Sequence, residues 1–394
     1  MAFDFDAAVE RRGTHSKKWD QIAAATGVAA ADGIPMWIAD MDFPAPPPVR
    51  ASLAAAVAHG VFGYFGEPAS WRDAVAGWAL RRHGWEIDTR WITPSGGVCG
   101  AMGIAIRAFS EPGEGVALFP PLYTGFSGMV RATGRRIVEA PLAQMQGRFA
   151  MDLEALARDL PEDVRIVMLC NPHNPGGTVW TPAEIRALAE FCAERGLVLV
   201  SDEVWRDLVY PEARFTPAAL AAPDCADRIV TLSAPSKTFN TAGLRCAEVV
   251  ISDEELRRRY RREAHGSEAT AVNSLGFIAA EAAYAGGASW LDALLPYLAA
   301  NRDRFAAGVA EAIPGARPMA LQSTYLAWVD FAGTGLAQDE AMRRLRDVAR
   351  IGVNEGPSFG PGGERCARFN FACPRATLDA ALDRLAAAFA DLRG

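Results

Sequence analysis

Lysine is almost missing from this chain. Of its 40 basic residues only Lys17, Lys18 and Lys237 are lysine. A bias toward arginine accounts for the surface but not for a lysine kept at 237. Of the two side chains only lysine readily forms an imine, because a guanidinium stays protonated and is a poor nucleophile. Covalent imine chemistry in the body of the chain therefore falls to Lys237. Net basic charge is lacking too: 40 Lys and Arg face 47 Asp and Glu, a balance of −7. That argues against a nucleic-acid binder, which needs a basic footprint, but leaves room for one small anion pocket. The five His, at 15, 59, 83, 173 and 265, form no HxxxH pair, and none of the seven Cys forms CxxC. Neither a metal site nor a disulfide framework is expected, and the thiols read as buried and free. The apolar stretch without charge at residues 115–130 is interrupted by Pro120-Pro121 and is too short to span a membrane. With an acidic N-terminus and no apolar leader, the expected setting is a reducing cytoplasm.

What is present describes a soluble globular protein. The 394 residues are 50% hydrophobic and 22% charged, enough chain for two or three domains as a prior. The first 50 residues are irregular. Helices are predicted over 48–59 and 70–83, the second with Trp71, Val75, Trp78 and Ala79 at helical spacing, and both stripes read as core. The middle alternates strand and helix. RIVMLC at 165–170 is a strand that ends in the loop NPHNPGG. Thr181, Pro182 and Glu184 make a capping box for a helix whose apolar face is Ile185, Leu188, Ala189 and Cys192. LVLV at 197–200 and RIVTL at 228–232 are further strands, the latter running into SAPSK and Lys237. Such alternation predicts α/β layers around a mostly parallel sheet, with ligands beyond the carboxyl ends of the strands. Asn174, Asp202 and Lys237 lie just past three of those ends. Helical sequence follows over about 253–286, broken near His265-Gly266, and again from about Trp290. The rest reads as a smaller α/β unit: a strand at 325–331, a helix at 337–351, a strand at 367–372 and a terminal helix marked by Leu378, Leu382, Leu385 and Phe389. The predicted division is 1–49 as part of a small domain, 50–288 as the large domain and 289–394 as the C-terminal small domain.

The residues at the strand ends match what pyridoxal phosphate needs from a protein: an amine, an anion for the ring nitrogen, donors for the phosphate and a flat group against the ring. Lys237 is the amine and, once displaced by substrate, the base at Cα. Asp202 is the anion. Ser95-Gly96-Gly97-Val98 precedes a helical run, where backbone N–H groups can meet a phosphate. Arg245 could neutralise the same phosphate. Tyr123 is a candidate stacking ring, and Arg368 a candidate grip for a carboxylate.

RRGTHSKKWD (11–20), MWIADMDF (36–43), FGYF (62–65), NPHNPGG (171–177), SDEVWRDLVY (201–210), APSKTFNTAGL (234–244), TYLAWVDF (324–331) and ARFNFACPR (367–375) together carry a resemblance. The chain resembles fold-type-I pyridoxal phosphate enzymes of the class I/II aminotransferase group, and within it the MalY/PatB-type cystathionine β-lyases, or cysteine C–S lyases. The resemblance implies a Schiff-base role for Lys237, with Ser236 and Trp205 also at the cofactor. Asp202 would hold the ring nitrogen, Asn174 the ring oxygen, and Tyr123 would stack. Gly97, Val98 and Arg245 would meet the phosphate, with Tyr64 reaching the neighbouring subunit's phosphate in a homodimer. Arg368 would grip the carboxylate of an amino-acid substrate, and backbone at Ile38-Ala39 would close the site. The implied reaction is α,β-elimination to thiol, pyruvate and ammonia; transamination is the alternative. Two positions depart from the lyase branch. Trp205 stands where a His is usual, and an indole N–H can donate but not accept. Arg245 matches the phosphate arginine of the aminotransferases better.

Overall fold

A computed structural model describes residues 3–145, 147–267 and 271–393. Its main sheet has seven strands: β1 (Ile92–Ser95), β2 (Gly115–Leu118), β3 (Arg136–Glu139), β4 (Val164–Cys170), β5 (Val198–Asp202), β6 (Ile229–Ser233) and β7 (Ala247–Val250). They lie in the order β1-β7-β6-β5-β4-β2-β3. From β6 to β3 every pairing is parallel, and β7 runs antiparallel to both its neighbours. All residues of β5 and β6 are buried, the polar Ser201, Asp202, Thr231 and Ser233 along with their apolar neighbours, because both faces of the sheet are covered.

The helices explain that burial. In chain order the principal ones are α1 (Pro47–His59), α2 (Ala69–His83), α3 (Val98–Phe109), α4 (Thr124–Ala132), α5 (Pro182–Glu194), α6 (Glu254–Gly266), α7 (Ser274–Gly286), α8 (Ala288–Ala312) and α9 (Arg375–Ala388). Side chains alternate along each strand. Val167 and Leu169 of β4 therefore pack with Ile185 and Leu188 of α5 on one face. Ile166 and Met168 pack with Ile104 of α3 and Leu256 of α6 on the other. The start of α5 follows from its sequence: Thr181 and Glu184 form the reciprocal capping box, with Pro182 at the first turn.

A second, antiparallel sheet of four strands comprises β8 (Arg317–Pro318), β9 (Leu326–Asp330), β10 (Asn354–Glu355) and β11 (Cys366–Asn370), in the order β8-β9-β11-β10. The N-terminal segment reaches the same region from afar: Ile34–Pro35 pairs in parallel with Ile351–Gly352 as a separate two-stranded sheet, and the Asn370 N–H donates to the Met36 carbonyl at 2.7 Å. Asn301 of α8 ties in as well, donating through Nδ2 to the carbonyls of Phe371 and Cys373 at 3.0 and 2.9 Å.

Two elements differ from the sequence expectation. The stripe of α2 is core, with Trp71, Val75, Trp78 and Ala79 all buried, but α1 buries only Val49 and leaves Val57 exposed. An alanine-rich helix packs closely with little side chain to bury, so periodicity could not decide how much of it is covered. The helix expected over 337–351 is shorter, running as α-helix from Gln338 to Arg343 and widening into a π turn at Arg344–Val348. Arg350 then takes a positive φ of 55°, which ends the helical path.

Candidate active site

Register brings the predicted residues together. Asp202 is the last residue of β5, level with Cys170 of β4 and Leu232 of β6. The loops that leave those two strands carry Asn174 and Lys237, so the three side chains share one sheet edge. Lys237 is half-buried, and its Nζ donates to the carbonyl of Ala39 at 2.8 Å. Burial brings its amine down to about 8, against the opposing pull of Asp40 and Asp202. Its neighbour Thr238 donates to Asp207 Oδ2 at 2.8 Å, which fixes the loop from below.

Asp202 is buried, and among the described residues only the backbone N–H of Val204, at 3.1 Å, bonds its carboxylate. Burial pushes this carboxyl up to about 7, with Val204 and the charge of Lys237 pulling the other way. A buried carboxylate with so little support is short of a cation. Trp205 is buried beside it: Lys237 Nζ sits 5.5 Å from the indole, which meets the Tyr325 ring edge-on at 4.9 Å.

Arg368 comes from β11, opposite Trp328 of β9 and Asn354 of β10. Its Nη1 donates to Asn174 Oδ1 at 3.0 Å, and its Nη2 to the Trp37 carbonyl at 2.8 Å and Asn354 Oδ1 at 2.7 Å. A guanidinium has five N–H groups. Three are used here, and among the described residues the buried Nε has no partner. Burial lowers this group to about 10, and the guanidinium is still charged at neutral pH.

Gly97 caps α3 with φ 130°, a backbone that favours glycine, and a Cβ there would meet nothing within 4 Å. Its requirement is thus conformational, and the space before the helix is open. Val98 is the first helical residue. Cys99 follows it half-buried, with its thiol raised by burial and then by the charge of Asp202. Tyr123 caps α4 with 36% of its surface open, and burial of its hydroxyl against Cys99 pushes it up to about 12. Arg245 is exposed, in the left-handed region at φ 55°, and its charge reaches Cys99. Ser236 is half-buried beside Lys237.

The segment from Ile38 to Phe43 is held by contacts that no local pattern announced. Asn370 Nδ2 donates to the carbonyls of Ile38 and Asp40, and Tyr325 donates its hydroxyl to the Ala39 carbonyl at 3.1 Å. Asp42 is buried between Lys18 Nζ at 2.7 Å, Arg11 Nη1 at 2.6 Å and Trp19 Nε1 at 2.8 Å. Sequence reasoning missed Lys18, Tyr325, Asn354 and Cys99 as neighbours of the site. The scarcity of lysine was a usable signal for Lys18, which is fully buried. Tyr64 stands apart from all of these: it is fully exposed, in a run with exposed Val61, Phe62 and Phe65.

The sheet with its one reversed strand and the lysine after β6 define a fold-type-I pyridoxal phosphate enzyme fold. The chain belongs to the aminotransferase class I and II family, whose model matches residues 38–385. It is 39% identical to cystathionine beta-lyase PatB of Bacillus subtilis over 386 residues, covering 98% of this chain and 99% of that one. It is 32% identical to protein MalY of Escherichia coli, over 96% of each. Cystalysin from Treponema denticola, whose crystal structure contains pyridoxal 5'-phosphate, superposes with a TM-score of 0.95 at 30% identity over the whole of both chains.

Proposed function

We propose that this protein is a pyridoxal phosphate-dependent carbon–sulfur β-lyase that acts on L-cystathionine or a related cysteine S-conjugate, giving a thiol, pyruvate and ammonia with consumption of water. The observation that carries the reading is the meeting of a half-buried amine, a buried carboxylate short of a cation and a guanidinium with unspent donors. Each deficit is one the cofactor or an amino acid would fill. The likeness to a cystathionine beta-lyase over nearly the full chain selects the reaction.

In this reading Lys237 holds the cofactor, Asp202 faces its ring nitrogen and Asn174 its ring oxygen, with Tyr123 and Trp205 against the ring. Gly97, Val98, Ser236 and Arg245 hold the phosphate. The bound cofactor supplies a cationic ring that draws electrons from the bonds at the substrate's Cα. Asp202 keeps the proton on that ring nitrogen, because a pyridinium restores the charge its burial lacks. Lys237, with its amine near 8, is largely protonated at pH 7 yet deprotonates at small cost, so it can take the Cα proton onto Nζ. Arg368 orients the substrate through its carboxylate, and the Ile38-Ala39 backbone covers it and excludes water.

The reading extends to a homodimer. A surface run of Val57, Val61, Phe62, Tyr64 and Phe65 is exposed, and a partner would bury it and bring Tyr64 to the neighbouring phosphate. Two domains complete it, residues 50–288 and the union of 1–49 with 289–394, supported by the pairing of Ile34 with Ile351. A cytoplasmic setting suits the seven free thiols, and no helix among the described residues is long and apolar enough to cross a membrane.

The discriminating assay supplies L-cystathionine without any keto acid. Pyruvate and thiol should accumulate over many turnovers. Stoichiometric conversion of the cofactor to its amine form, relieved only by a keto acid, would reject elimination in favour of transamination.

A further inference from the structure

A cavity of about 690 Å³ opens between the end of α2, the 206–215 segment and the first half of α8. Its charge is one-sided. Arg81, Arg82, Arg206 and Arg214 line it, against only Asp207 and Asp292. Both carboxylates are already engaged. Asp292 takes Arg82 Nη1 at 2.7 Å, while Asp207 Oδ1 takes Trp78 Nε1 at 3.0 Å and His83 Nε2 at 2.9 Å. Arg206 is 2% exposed and spends Nη2 on Glu248 at 3.0 Å, yet among the described residues its buried Nε has no partner. Arg214 is in the wall without a carboxylate partner of its own among the described residues. The remaining wall is apolar, with Phe215, Leu295 and Pro296. A cavity of this size with an apolar wall and clustered cations fits a small organic anion better than a bare ion.

We propose that this cavity is a second ligand site, taking a small carboxylate with an apolar body, and that its occupancy is felt at Lys237. The route is short. His83 in the wall bonds Asp207, and the other oxygen of Asp207 holds Thr238, next to Lys237 in sequence. A carboxylate among the arginines competes with Asp292 for Arg82 and sets a negative charge beside the His83–Asp207 pair, whose bond to Thr238 seats the lysine loop.

The test titrates the cofactor-loaded enzyme with 4-phenylbutyrate by calorimetry, with 4-phenylbutanamide as the neutral control. The carboxylate should bind at least about ten-fold tighter than the amide, as charge-assisted bonding to arginine requires. Arg214→Ala should weaken it at least about five-fold while leaving turnover without probe unchanged, and Asp292→Asn should tighten it by freeing Arg82. Probe that saturates the parent should change its pyruvate release at least about two-fold, and Arg214→Ala should need at least about five-fold more probe for the same change. Equal binding of acid and amide, or an affinity indifferent to Arg214→Ala, would overturn the site; the latter would put the probe elsewhere, as on Arg368. Binding that shifts with the variants but leaves turnover unmoved would overturn the link to Lys237. The calorimetric arms stand whatever reaction the enzyme performs.

Discussion

Asp202→Asn should stabilise the cofactor-free protein at alkaline pH while weakening its hold on the cofactor. The carboxyl rises from an ordinary 3.8 to about 7 on folding, chiefly through burial. A rise of that size corresponds to about 4 kcal/mol of destabilisation wherever the group is charged in both states. Proton binding sets the sign. A carboxyl with a raised folded value binds its proton more tightly in the folded state, so this group's contribution to stability is most favourable below pH 4. It declines as pH rises toward 7 and is flat above. The amide carries no such penalty, but its two donors must be satisfied in a buried place, at a cost of about 1–3 kcal/mol. The variant should therefore gain about 1–3 kcal/mol at pH 8, a rise of a few degrees in melting temperature, and gain nothing at pH 4.5. Glu203, also raised to about 7, titrates in the same window, so the informative quantity is the difference between variant and parent at each pH. Scanning calorimetry of both cofactor-free proteins at the two pH values supplies it. Adding pyridoxal phosphate should reverse the order, since only the carboxylate pairs with a protonated ring nitrogen. A variant destabilised equally at both pH values would refute the reasoning, because it would mean the carboxylate is already satisfied without the cofactor.

Three further outcomes follow from the same geometry. Arg368→Lys should raise KM for the amino acid about a hundred-fold, because an ammonium cannot replace bonds to Asn174, Trp37 and Asn354 and also hold a carboxylate; steady-state kinetics with unchanged KM would contradict this. Gly97→Ala should cost about 1–2 kcal/mol of cofactor affinity through strain at φ 130°, read as a roughly ten-fold rise in the cofactor's Kd, and an unaltered Kd would remove the phosphate role from this turn. Tyr64→Ala should weaken cofactor retention without lowering monomer stability, since the ring makes no intrachain burial; light scattering and cofactor release measure the two, and loss of fold instead would show that Tyr64 packs within its own chain.

The sheet edge was legible because its chemistry is local. Asn174, Asp202 and Lys237 each follow a short apolar run, and the parallel α/β rule puts the ends of such runs side by side. The capping box at Thr181 was readable for the same reason. What stayed hidden depends on contacts between residues far apart in sequence. Lys18 lies 24 residues from Asp42, which it buries against, and Asn354 reaches Arg368 only because β10 and β11 pair. Tyr325 opens a run whose pattern says apolar core, yet it lies just before β9, and only the fold turns its hydroxyl to Ala39. Cys99 reads in sequence as an inert buried thiol, yet two residues after the Gly97 turn it faces Tyr123. The cover of α1 could not be read at all, since alanine at every spacing marks no face.

The most direct test of the whole account is chemical. The protein as purified with pyridoxal phosphate is reduced with borohydride, digested and mapped by mass spectrometry. A single modified peptide should carry the phosphopyridoxyl group on Lys237, and Lys237→Ala should lose both that adduct and pyruvate formation from L-cystathionine. A label on Lys17 or Lys18, or full turnover by Lys237→Ala, would contradict it.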